Sequence, residues 1–568
     1  MASSRARLLP VQRPLFAAVG LGLGLVAVVG CHGTIGDPPS RGSSLGAAGA
    51  STGTAGEGVS GPSSCSVTSA PAPVQRLTKL EYNNVVRDLF GVQKDYTATF
   101  SADAKGPAGF STEGIAQNLA LSQVTDYLNA AKAVVADVFA ASPNPLLTCT
   151  SGDACAQSII TSLATKAFRG PPPPDEITKL MAVYKSSSSP VFTDALSLAV
   201  RAILVSPRFL FRVYQLPATG GTLTSLTDYE VASRLSFFLW GSIPDSALLA
   251  DAGQGRLQQS DVLKGHVLRM LKDSRVAYLS NSFGFEWLQL DRFENTNLDT
   301  TRFPTWNASL KDSMENETLA FLSHVFGQDT SVMDFVAGKY AFLDQNLSKH
   351  YGIPLPAGAG TQMTQVALNE QRIGILTNAS LLALTSVANR TSPVRRGNWL
   401  LQQILCSGVG PPPPNVPPLP PPANGATDLQ AESLIRQRLA QHVEQGASCA
   451  ACHNLMDPIG YGYENYDSAG IWRTTYVDGV AVDASGQLPT GERFNDFMGL
   501  AKIVQSDSRF PTCFTGRLAS FAEGRDMTAD PCTTQPIAQT SVGPTKKFSD
   551  LIVQLVLDAS FRSRQVSN

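Results

Sequence analysis

The sequence predicts a mainly α protein, and three observations carry that prediction. Two stretches, Thr78-Lys79-Leu80-Glu81 and Thr227-Asp228-Tyr229-Glu230, open with the reciprocal capping pattern of a helix start, in which side chains three positions apart satisfy free backbone N–H groups. Apolar residues then recur at helical spacing: Tyr82, Val85, Val86, Leu89 and Phe90 form a stripe that stops at Gly91. Alternating apolar and polar runs, the mark of strands, are scarce. With 568 residues, 43% of them hydrophobic and 16% charged, the chain has ample material for a core. That composition excludes a wholly disordered chain, a collagen and a protein of many membrane spans. The formal charge of −2 gives no basic excess, so no nucleic-acid partner is expected.

The elements follow in chain order. Arg5, Arg7 and Arg13 precede an apolar run over residues 15–29, a length that suits a signal peptide (residues 1–30) better than a membrane span. Val28-Val29-Gly30-Cys31 resembles the bacterial lipobox, so Cys31 is the expected lipidation site. Acyl chains there would anchor the chain to a membrane. His32 follows the cysteine where an Asp would suggest inner-membrane retention, so the expected address is the outer membrane, facing the periplasm or the cell surface. Residues 31–75 are a Gly/Ala/Ser/Thr/Pro tether too poor in large apolar side chains to fold.

Beyond the tether, helical patterns cover residues 197–205, 262–272, 276–290, 319–326 and 374–388, with a helix from Thr227 reaching Trp240-Gly241. A short hairpin is expected over 476–482 around Asp478-Gly479. The run PPPPNVPPLPPP from Pro411 is an extended polyproline spacer, and a domain boundary falls there.

The chemistry concentrates in Cys449-Ala450-Ala451-Cys452-His453. C-x-x-C-H is the attachment pattern of c-type haem: two thiols three positions apart reach the two vinyl groups of one porphyrin, and the adjacent imidazole becomes the proximal iron ligand. A thioredoxin-like redox pair needs a β-α-β setting, and a zinc site a second Cys/His pair nearby; the flanking sequence has neither. One covalent haem c is therefore expected on Cys449, Cys452 and His453. Met498, Met527 and His442 are candidates for the sixth ligand, whereas Met456 is too close to His453 to cross the haem. Asp457, Glu464 and Asp467 read either as a calcium or propionate-side polar shell or as a cap and a solvated face. His266, His324 and His350 lie in helical patterns and read as structural. Of the other cysteines, Cys149 with Cys155 and Cys513 with Cys532 are expected disulfides, and Cys65 with Cys406 is the residual pair.

Several stretches together resemble a known group of large exported proteins of planctomycete and myxobacterial type, built from domains of unknown function 1587, 1595, 1592, 1588 and 1585. The carriers are Arg76–Asn84 with Asp88-Leu89-Phe90-Gly91; Ala167-Phe168-Arg169; Ser206–Leu210 with 232–240 and Trp287-Leu288; Arg372–Leu376 with Thr391–Gly397 and the C-x-x-C-H-x-x-x-D-P run; and Phe521–Arg525 with residues 548–564. Accordingly the body divides into 76–165, 166–230, 231–360, 361–410, the linker 411–427, a haem-binding module at 428–498 and a closing helical module at 499–568. Phe168-Arg169-Gly170-Pro171 departs from the group, which usually carries a second Arg before the Pro. Arg395-Arg396 either hold haem propionates or satisfy helix C-termini.

The resemblance implies a haem-bearing, cytochrome-like protein with no settled substrate. The expected function is an exported lipoprotein that transfers electrons to or from a partner protein. No Ser/His/Asp arrangement marks a hydrolase, and catalytic residues are unassigned. A haem-dependent oxidase or peroxidase, and a non-redox scaffold with an oxidised C-x-x-C pair, stand as alternatives.

Overall fold

Helix-start chemistry written in the sequence is realised at both capping boxes. Thr78 accepts from the Glu81 N–H, Glu81 reciprocates at the Thr78 N–H, and helix Lys79–Phe90 ends at Gly91 in the left-handed region, φ 75°. Thr227 and Glu230 do the same for helix Asp228–Trp240, which ends at Gly241, φ 57°. The computed structural model describes residues 74–214, 223–410, 419–420, 427, 431–444 and 447–565. The expected signal peptide, the lipidation site Cys31, the tether through residue 73 with Cys65 and most of the linker 411–427 lie outside the described residues; Gln75, expected to end the tether, is instead a buried strand residue paired with Arg212. Among the described residues there are 23 α-helices, and the named strands form four antiparallel pairs. The fold is mainly α. Among these residues no helix is long and apolar enough to cross a membrane.

Two hydrophobic clusters organise the helices. One gathers Leu77, Tyr82, Val134, Ile160, Leu196 and Phe209 from the N-terminal helices. The other runs from Ala108 to Phe561 and draws in residues on both sides of the Pro-rich linker. Helix Asp228–Trp240 stands between them, buried at every position from Val231 to Trp240, the mark of a central core helix. Phe237 joins the first cluster, while Leu235, Phe238 and Leu239 join the second. Its Arg234, 1% exposed, donates to the Phe561 carbonyl at 2.6 Å and the Ser563 carbonyl at 3.3 Å. Strand pairing of Leu223–Ser225 with Ser563–Gln565 ties the closing segment to the same helix.

Three expected helices differ in form. The 276–290 pattern is helical but not one cylinder: a π-helical segment Leu279–Gly284 leads into Phe285–Trp287, and Gln289 breaks it at φ 61°. The wide turn rotates Trp287 into an aromatic pile with Phe283, Phe335 and Phe514, and its indole N–H reaches the Gln403 carbonyl at 2.7 Å. The 374–388 pattern shrinks to Ala379–Leu384, because the Thr385 and Ser386 hydroxyls bond back to the Leu381 and Leu382 carbonyls at 2.7 and 2.8 Å and compete with helix continuation. The stretch 548–564, which the resemblance marks as one closing helix, splits at Asp558, which ends Phe548–Leu557 and caps Ala559–Arg562.

Cysteine pairing also departs from expectation in part. Cys149–Cys155 forms as expected. Cys513, however, bonds Cys406 across a sequence separation of 107 rather than Cys532, which is disulfide-bonded as well. The helix Arg509–Glu523 lies against the segment Leu400–Ile404, where the Cys513 sulfur also approaches the Gln403 carbonyl at 3.8 Å. Tertiary packing, not loop length, chooses the partner.

Candidate functional site

The C-x-x-C-H run lies on helix Ala447–Gly462. Cys449 and Cys452 are one turn apart and therefore share a helix face. Both are free, half-buried thiols, in contrast to Cys149, Cys155, Cys406, Cys513 and Cys532, all of which are oxidised. His453 follows at once. Asp457 sits one turn later, and its Oδ2 lies 2.9 Å from His453 Nδ1. Pro458 lacks an N–H, so the helix ladder is interrupted just beyond this pair.

The helix is seated by two glycines. A Cβ at Gly397 would fall 1.9 Å from the Met456 carbonyl oxygen, and one at Gly460 would fall 2.0 Å from the Pro393 carbonyl oxygen. Only hydrogen at those positions lets helix Pro393–Trp399 and helix Ala447–Gly462 cross backbone to backbone.

Below the crossing lies a buried charge network. Glu432 accepts from Arg302 at 2.6 Å and Arg473 at 2.9 Å. Burial alone would raise the Glu432 carboxyl, but these two guanidiniums hold it below the usual range. Glu464 accepts from Arg473 at 3.2 Å, the Thr391 hydroxyl at 2.9 Å and the Tyr476 hydroxyl at 3.2 Å; burial nevertheless pushes its carboxyl up. Arg396, fully buried, donates to the Tyr463, Tyr466 and Asp467 carbonyls at 2.8, 2.7 and 2.6 Å. It satisfies the end of the helical segment that carries the site, which is the second of its two expected roles. Arg395 donates to the Ser386 carbonyl at 2.8 Å.

The reading of these three carboxylates as a cap and a solvated face is corrected. Asp457 pairs with His453 instead of capping, Glu464 is buried instead of solvated, and Asp467 closes a turn by accepting from the Ala469 and Ile471 N–H groups at 2.9 Å. The expected hairpin is present as a tight turn, with the Tyr476 N–H bonding the Val480 carbonyl at 2.8 Å and Gly479 at φ 82°.

Of the sixth-ligand candidates, His442 is brought to the site: its ring packs on that of His453, centroids 5.2 Å apart and tilted by 65°. Helix Ile435–Val443 delivers it, 5% exposed. Met498 is half-buried on helix Phe497–Ser506, against the large core. Met527 is fully buried beyond helix Arg509–Glu523, and its N–H donates to the Ser520 hydroxyl. Met456 is core filler. The remaining histidines have structural partners: His266 with Asp251 at 2.8 Å, His350 with the Ala469 carbonyl at 2.7 Å, and His324 against Tyr340.

Several buried polar atoms at the site have no hydrogen-bond partner among the described residues: His442 Nδ1 and Asp457 Oδ1 beside His453, and Arg396 Nε and Glu464 Oε1 in the network. Buried polar atoms without partners are rare enough to need a cause. Burial raises the Asp457 carboxyl, against the hydrogen bond from His453 and the charge of His442. No three His, Cys, Asp or Glu side chains among the described residues are grouped to hold a metal ion by themselves. The residue types present are compatible with a porphyrin-borne iron: two free thiols on one helix face, and an imidazole whose Nδ1 is occupied, so that Nε2 is the atom that would ligate.

Sequence reasoning missed the Glu432–Arg473–Arg302 network, whose members are 41 and 130 positions apart and give no local signal. The His453–Asp457 pair was available from its i, i+4 spacing.

The molecule is thus a helical, multi-module protein with a C-x-x-C-H helix wedged against its core. Five family models match, in order: protein of unknown function DUF1587 over residues 75–140, DUF1595 over 155–213, DUF1592 over 226–353, DUF1588 over 372–476 and DUF1585 over 490–561. The chain belongs to the multi-module family built from these domains. The C-x-x-C-H helix lies in the DUF1588 stretch. No curated protein and no solved structure matches the chain.

Proposed function

We propose that this chain is an exported, lipid-anchored electron-transfer protein carrying one covalent haem c. The observation that carries the reading is the redox contrast among its cysteines: Cys449 and Cys452 are free thiols on one face of a helix, next to an imidazole oriented through Nδ1, while the other described cysteines are oxidised. Cys449 and Cys452 would hold the porphyrin by thioethers, and His453 would ligate its iron through Nε2. The bound haem supplies a reversible one-electron couple. Gly397 and Gly460 hold the helix rigid against the core, so the donor set is fixed before the group arrives. Covalent attachment suits an exported protein in a dilute compartment, where a loosely held haem would be lost. Cys31 would supply the membrane anchor and residues 31–75 the reach to a redox partner protein.

Material purified from the native host, or co-expressed with haem-attachment machinery, is expected to give a c-type pyridine haemochrome spectrum and an intact mass increased by one haem. An intact mass showing the bare polypeptide overturns the reading. Recovery of the protein in the membrane fraction, lost on Cys31→Ser, checks the anchor.

A further inference from the structure

Two buried carboxylates in the haem-bearing stretch are treated in opposite ways. Glu432, 1% exposed, faces two guanidiniums, Arg302 at 2.6 Å and Arg473 at 2.9 Å. Asp457, 5% exposed, receives no guanidinium or ammonium among the described residues. The groups that act on it are the two imidazoles, His453 at 2.9 Å and His442. Its Oδ1 has no hydrogen-bond partner there.

A buried carboxylate is stable only when a positive charge or several donors compensate it. One hydrogen bond from an imidazole, with the second oxygen unpartnered, is less compensation than the two guanidiniums give Glu432, so the fold leaves Asp457 under-compensated. With a haem iron held at Nε2, His453 would keep its proton on Nδ1, directed at Asp457 Oδ2, and its ring would carry positive character that the carboxylate would offset, more so for the oxidised iron.

We infer that Asp457 is a positioning residue that sets the potential of the haem: through the 2.9 Å contact to His453 Nδ1 it stabilises the oxidised iron and biases the protein toward giving its electron away. The inference rests on the haem reading above. The exchange would be a single electron, gained by the haem from a reduced donor protein and passed on to an oxidised acceptor, with no proton moved at Asp457. The carboxylate favours the second half, so the partner class it selects is an acceptor of moderate or low potential. It also fixes the tautomer and plane of the imidazole, since Asp457 and His453 are one turn apart on the same helix.

The test is spectroelectrochemical titration of the full holoprotein beside its Asp457→Asn variant. Asparagine keeps the volume and one acceptor oxygen while removing the charge. The expected result is a rise in the reduced-to-oxidised ratio of about tenfold at a fixed applied potential, which is about 59 mV for one electron. A holoprotein variant that titrates within twofold of the wild type overturns the inference while leaving the haem reading intact. Absence of haem from the wild-type protein instead overturns the haem reading, and this inference with it. If the Asp457→Asn chain does not accumulate, Asp457→Glu gives the readout. Retention of the charge predicts a titration within twofold of the wild type, and a tenfold rise overturns the role of the charge.

Discussion

Helix Lys79–Phe90 carries its own start and stop, with Thr78 and Glu81 bonding each other's backbone and Gly91 turning the chain away. Helix Ala447–Gly462 is built the other way. Pro458 interrupts its ladder, and small Ala and Gly residues replace a broad apolar stripe. Its seat is made by distant groups: Pro393 and Gly397 across the crossing, and Arg396 at the carbonyls beyond its end. The first helix has its ends set by local chemistry, although it still buries Tyr82, Val85, Val86 and Phe90 in the core, and it carries no reactive group. The second, which carries two free thiols and a carboxylate–imidazole pair, draws its order from tertiary contacts, which also fix where those groups point.

The sharpest test of that contrast is chemical. Cys449→Ser/Cys452→Ser is expected to abolish haem staining on a denaturing gel altogether, whereas Cys149→Ser/Cys155→Ser leaves it unchanged. Next in size is the charge network under the site. Glu432→Gln leaves Arg302 buried without its counter-charge and Arg473 with Glu464 alone, and is expected to cost about 3–5 kcal/mol, read by urea unfolding. The pH dependence has a defined sign. The folded-state carboxyl of Glu432 lies below its usual range, so its stabilising contribution is present above about pH 4.3 and is lost as pH falls through the depressed value. The Gln variant should show a shallower loss of stability on that acid limb. A variant with an unchanged acid limb would mean that the network is not what holds the site.

Gly460→Ala should cost about 3 kcal/mol through the clash of its Cβ with the Pro393 carbonyl, measured as a lowered urea midpoint. An unchanged midpoint would break the claim that the crossing depends on that hydrogen. The smallest effect belongs to the locally capped helix: Thr78→Ala is expected to cost about 1 kcal/mol, read from the same unfolding curves. A larger loss there would erase the distinction between the two helices.

Much of the helical layout was legible because its signals are local. The boxes at Thr78 and Thr227, the stops at Gly91 and Gly241, and the turn at Gly479 each need a few neighbouring residues. The π-helical segment Leu279–Gly284 was not legible, since apolar spacing does not distinguish a wide turn that serves the packing of Trp287 from a regular one. The Cys406–Cys513 bond was equally hidden, because disulfide choice follows which helices meet.

At the candidate site the division is the same. Residue order alone determined the reactive types, their one-turn spacing on a helix and the pairing distance from His453 to Asp457, because covalent sequence and helical pitch set all three. Tertiary structure decided which carboxylate receives guanidiniums and which is left with imidazoles, since Arg302 and Arg473 reach Glu432 across 130 and 41 positions. Electrostatic compensation in a protein interior depends on distance through space, and that is settled only when the chain has packed.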